Sequence, residues 1–155
     1  MTPAIKFLKQ QKVNFKVHEY IHAKDNDAYG KEACEKLGVA SELVFKTLVV
    51  CLDGQELIVA VLPVLEKLSM KKVAHCFKVK KAQMAEKNAL LRSTGYILGG
   101  VSPLGQKKRL RTLIHTSAFN VPQIFVSAGK RGMDIELSAL QLQNLLGASQ
   151  VNICA

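Results

Sequence analysis

Residues 44–63 read VFKTLVVCLDGQELIVAVLP, two apolar runs joined by Asp53-Gly54, and this stretch decides the fold. Both runs are rich in β-branched and aliphatic residues. An Asp-Gly dipeptide readily adopts the positive φ values of a tight turn, so strands over 44–52 and 56–63 are predicted to form a hairpin. One residue is out of place. Side chains alternate across a strand, so Lys46 shares its face with Val44, Leu48 and Val50, whereas Thr47 lies with Phe45 and Val49. An unpaired ammonium buried there costs roughly several kcal/mol, so its head must reach water, meet a carboxylate or await an anionic ligand.

Working outward, Thr2-Pro3 is a good helix start, with Ile5 and Leu8 as an apolar stripe and an end near Gln11. NFKVHEY, residues 14–20, alternates as a strand with unlike faces. Lys31–Leu37 fits a short helix stopped by Gly38, and Ser69 can cap MKKVAHCF. AEKNALLRSTG gives a further helix ended by Gly95, and a strand is predicted near Leu110–His115. QIFVS (123–127) and MDIEL (133–137) flank the loop AGKRG, and Ser138 caps a final helix ended by Gly147. Helices and strands mix without a regular βαβ rhythm. The expected fold is α+β, a single domain over residues 1–155 with a mixed, largely antiparallel, curved sheet flanked by short helices.

The bulk composition bounds the function. A chain of 155 residues that is 48% hydrophobic can bury about two thirds of its unfolded surface in one core. Its 22 Lys and Arg against 12 acidic residues give +10, which favours a polyanionic partner, with a solvated basic surface as the bland alternative. Cys34, Cys51, Cys76 and Cys154 are widely spaced and form no CxxC, so reduced thiols in a cytoplasmic protein are expected. The four histidines have no metal-ligand spacing, and no metal or cofactor is predicted. No apolar run approaches the roughly 18 residues a membrane span requires, and the N-terminus has no signal-peptide pattern.

Two stretches suggest chemistry. STGYILGGVSPLGQKKRLR combines adjacent glycines, Gly99 and Gly100, with the cations Lys107, Lys108, Arg109 and Arg111. Bare backbone around Gly99 to Ser102 can aim N–H donors at a developing oxyanion, and the cations suit phosphates; a plain turn beside a solvated basic strand reads equally well in isolation. SAGKRGMDIEL places Lys130-Arg131 between glycines ahead of Asp134, which can neutralise Lys46 or hold a substrate amino group, or else sit at an ordinary surface turn. There is no GxSxG elbow, Walker loop or GxGxxG, and His18 is read as structural. Catalysis, if any, is expected from positioning and electrostatics.

These residues resemble a known family. MTPAI at the start, FKTLVV around Lys46, LRSTGYILGGVSPLGQKKR and VSAGKRGMDIEL are similar to the YbaK family of Cys-tRNA(Pro) deacylases, relatives of the editing domain inserted in prolyl-tRNA synthetases. The resemblance implies a trans-editing hydrolase of mischarged Cys-tRNA(Pro) in which the cysteinyl thiol attacks its own ester. It assigns Lys46, Gly99 and Gly100 as catalytic, and Tyr20, Tyr29, Thr47, Val101, Ser102, Pro103, Ser127 and Asp134 as substrate-binding. Tyr29 stands where the cysteine-editing branch commonly has Phe. Lys107, Lys108, Arg109, Arg111, Lys130 and Arg131 would hold tRNA(Pro) through phosphates, and prolyl-tRNA synthetase is the implied protein partner. Ala-tRNA(Pro) or broader deacylation, and a non-catalytic RNA-binding module, are the competing readings.

Overall fold

The computed structural model describes residues 1–23 and 29–155, the side chain of Tyr29 excepted, so the expected role of that side chain lies outside the described residues. The chain runs α1 (Pro3–Gln11), β1 (Lys16–Glu19), α2 (Tyr29–Leu37), β2 (Phe45–Leu52), β3 (Glu56–Pro63), α3 (Met70–Cys76), β4 (Ala82–Met84) and α4 (Lys87–Thr94). It continues through β5 (Thr112–His115), β6 (Ile124–Lys130), β7 (Met133–Leu137), α5 (Ala139–Leu146) and β8 (Ser149–Val151). This is an α+β fold, as the sequence predicts.

Local chemistry sets most boundaries. Thr2 accepts from Ile5 N at 3.3 Å, with Pro3 in the first turn of α1. Ser69 caps α3, and Ser138 with Gln141 forms a capping box on α5. The β2–β3 hairpin pairs Leu52 with Glu56, and Asp53 and Gly54 take φ of 49° and 68°. The Asp53 carboxylate also accepts from Lys81 N at 2.8 Å, tying the turn to the chain entering β4.

The strands divide into two sheets instead of the single curved sheet expected. Five strands are ordered β4-β2-β3-β5-β8, antiparallel through β4, β2 and β3 and parallel from β3 to β8; three are ordered β1-β7-β6 and antiparallel. A single bridge, Val44 to Phe125, joins the sheets among the described residues. Phe45, Val59 and Val61 face a core shared with α1, β6, β7 and α5, whereas Val50, Ile58 and Leu62 face one shared with α3 and Ile153.

Candidate active site

β2 is flanked by β3 along its whole length, but β4 reaches only Val50–Leu52 of its other edge, with Ala85 N adding a bond to Val49 O. The bridge to the second sheet begins at Val44. Between these two points the edge of β2 is bare among the described residues. Val64 N bonds Val44 O, which makes 44, 46 and 48 the residues hydrogen-bonded to β3. In an antiparallel ladder that phase turns the amide and carbonyl of Thr47 towards the bare edge.

A cavity of about 270 Å³ lies against this edge, lined among others by Lys46, Thr47, Tyr20, Ser127, Asp134 and Gly99. Residues from both sheets and the glycine loop therefore converge on it. Lys46 is half-buried and makes no ion pair among the described residues; burial pulls its pKa down, opposed by Cys154 and Glu66. Thr47 Oγ1 is buried and has no hydrogen-bond partner among the described residues. An orphaned hydroxyl and an ammonium without an ion pair, on consecutive residues of β2 whose side chains leave opposite faces of the strand, mark a place arranged for something other than stability.

The opposite wall is β7 beside β6. Asp134 pairs across with Ser127 on one side and His18 on the other, and is buried. Burial pushes its carboxyl up to about 7, with His18 pulling the other way. It makes no ion pair with Lys46, so the expected neutralisation is not what holds either charge. Tyr20 is raised to about 12, chiefly by burial and then by Asp134. Ser127 Oγ accepts from Gly129 N at 3.0 Å, within a bulge between Ser127 and Lys130 that carries Lys130 and Arg131 to the cavity.

The glycine loop forms the third wall. Tyr96 is buried beneath it and donates to Leu104 O at 2.6 Å. A Cβ at Gly129, whose φ is 95°, would collide with the Tyr96 ring, so the glycine is what lets the loop and the bulge approach. Arg131 donates to Leu98 O at 3.2 Å and ties the two together. Gly99 has φ of 87°, and the amides of Gly99, Val101 and Ser102 find no acceptor among the described residues.

The remaining candidates scatter. Gly100 packs against the backbone of Lys130 and Arg131 behind the cavity, and Ser102 is fully buried with Oγ accepting from Leu104 N at 3.2 Å. Pro103 lines a separate hollow with Lys107, Lys108 and Arg109. Arg111 is committed to Glu56, at 2.6 and 2.8 Å, and lies 4.5 Å over the Phe77 ring. The sequence reading missed His22, Gly30, Met84, Leu90 and Leu98, which also line the cavity. His22 bonds Glu32 at 2.6 Å, and a Cβ at Gly30 would stand 2.5 Å from Val64. Gly30 was the one detectable signal, a glycine at the start of a helix.

The aminoacyl-tRNA editing domain family matches residues 25–145, and the chain belongs to that family. Within it, the chain is 39% identical over 137 residues to an Enterococcus faecalis protein named "Putative Cys-tRNA(Pro)/Cys-tRNA(Cys) deacylase EbsC", covering 88% of this chain and 83% of that one. It is 30% identical over 112 residues to "Uncharacterized protein YwhH" of Bacillus subtilis, covering 72% and 71%. The fold superposes with a TM-score of 0.88 on a crystal structure described as "a putative trans-editing enzyme for prolyl tRNA synthetase", at 18% identity and covering 99% of this chain and 95% of that one.

Proposed function

We propose that this protein is a cytoplasmic trans-editing deacylase, a single domain over residues 1–155, that removes cysteine from mischarged tRNA(Pro). The observation that carries the reading is a cavity lined by Lys46, which makes no ion pair among the described residues, and by Thr47, whose hydroxyl has no partner among them, with no nucleophile hydrogen-bonded to a base among the described lining residues. Ser127 is engaged by a backbone amide, His22 by Glu32, and no cysteine lines the cavity among the described residues. The attacking group then has to come from the substrate or from water.

The cysteinyl thiol attacks its own ester carbonyl. A C–S bond forms, the C–O bond to the ribose breaks, and the thiol proton ends on the ribose oxygen, giving a cyclic thiolactone and free tRNA. Lys46 favours the thiolate or the charge on the terminal phosphate, and the amides of Gly99 and Val101 receive the carbonyl oxygen. Asp134, when ionised, holds the substrate ammonium, and Tyr20 and Thr47 border the amino-acid side. Phosphate contacts through Lys130 and Arg131 carry little sequence information, so a complex with prolyl-tRNA synthetase supplies tRNA choice. The names of the Enterococcus relative and of the structural neighbour support this reading.

The test charges one tRNA(Pro) with cysteine or with alanine and adds the protein at substoichiometric amounts. Cysteine is expected to be released, and alanine, which lacks the thiol, about 100-fold more slowly or not at all. Comparable release of alanine would replace the thiol with water. Intact Cys-tRNA(Pro) would leave only an RNA-binding module.

A further inference from the structure

Among the described residues nine large hydrophobic side chains are exposed; two of them line the cavity and a third is the sequence neighbour of one of these. Met84, at 45% exposure, and Leu98, at 53%, line it, and Ile97, at 63%, adjoins Leu98 on the glycine loop. Apolar side chains held open to water beside a cavity that is itself largely apolar, with Lys46, Lys130 and Asp134 among its lining, suit a partner that is partly apolar. Their positions are fixed. Arg131 holds the Leu98 carbonyl, Gly100 N bonds Ile97 O at 3.0 Å, and Ala85 N bonds Val49 O at 3.0 Å immediately after Met84. Lys130 stands beside them, exposed and without an ion pair among the described residues.

We propose that Met84, Ile97 and Leu98 form a platform on which unpaired nucleobases of a single-stranded RNA 3′ end lie, with Lys130 taking the intervening phosphates. The proposal rests on the deacylase reading for its direction, because the ester enters the cavity and the bases attached to it must cross the rim. Its physical ground is the alternation of chemistry. Unpaired bases offer flat apolar faces and phosphates offer negative charge, and the rim offers apolar surface next to a cation on a chain of net charge +10. A base-paired end hides its faces within its own stack and gains nothing from such a platform.

Binding of an uncharged, fluorescently labelled RNA hexamer ending in CCA tests this without any turnover. The intact protein is expected to bind it about tenfold tighter than the same hexamer with abasic sites at its last three positions, or the same hexamer annealed into a blunt duplex. Ile97→Ser together with Leu98→Ser should remove that preference and leave the salt dependence of binding alone, whereas Lys130→Ala should lower the salt slope by about one. Equal binding of the intact and abasic hexamers by the unaltered protein overturns the platform, whatever the variants do. So would a double variant that binds the hexamer normally but no longer associates with prolyl-tRNA synthetase, since the rim would then be a protein contact. Either failure leaves the deacylation experiment standing, because cleavage of Cys-tRNA(Pro) is measured independently.

Discussion

Lys46 and Arg111 are both cations on or beside strands of the five-stranded sheet, and their surroundings differ in every respect that matters for ligand binding. Arg111 is exposed, forked onto Glu56 and laid over Phe77. Lys46 is half-buried and has no carboxylate within ion-pair distance among the described residues. A cation already satisfied by its own chain gives up those contacts to bind anything else; one that is desolvated and unsatisfied gains by binding an anion. A dense basic run therefore says less about a binding site than a single cation that the fold leaves unanswered.

For stability, the largest expected effect sits across the cavity from Lys46. Asp134 has its pKa raised from 3.8 to about 7, so the folded state binds its proton more tightly than the unfolded chain does. The resulting stability is full below about pH 4 and is lost as pH rises through 7. Asp134→Asn should flatten the unfolding free energy between those values, by at most on the order of 4 kcal/mol. A denaturant series at pH 4, 5.5 and 7.5 reads it, and an unchanged pH profile in the variant would assign the dependence elsewhere.

A smaller effect is expected at Thr47. Thr47→Val keeps the shape and removes an unsatisfied buried hydroxyl, so the protein should gain about 1 kcal/mol while deacylation slows. If stability falls instead, the hydroxyl has a partner in solution and the first region is less distinctive than its geometry indicates.

The smallest effect belongs to the second region. Arg111→Ala should lower the melting temperature slightly and leave the salt slope of tRNA binding unchanged, in contrast to Lys130→Ala. A slope reduced equally by both would erase the distinction between a satisfied and an unsatisfied cation.

The sequence made the hairpin legible because apolar runs and an Asp-Gly turn are local signals, and the same is true of the caps at Thr2, Ser69 and Ser138. The glycine loop was legible as a segment of unusual backbone, but not which of its residues line the cavity. Ser102 is fully buried and Pro103 faces a separate hollow, while Tyr96 packs beneath the loop against Leu104 and Gly129, contacts that no spacing announces. The engagement of Arg111 was hidden for a similar reason, since Glu56 is 55 residues away. β4 has three residues, too few to leave a periodicity, and that shortness is what leaves the edge of β2 at Thr47 without a strand partner among the described residues.

Single-turnover cleavage of Cys-tRNA(Pro) by the wild-type protein and by Lys46→Ala tests the central claim most directly. The rate should fall about 10²- to 10³-fold in the variant, with its melting temperature kept or raised because a desolvated charge has gone. A variant that folds normally and cleaves at the wild-type rate would contradict the account.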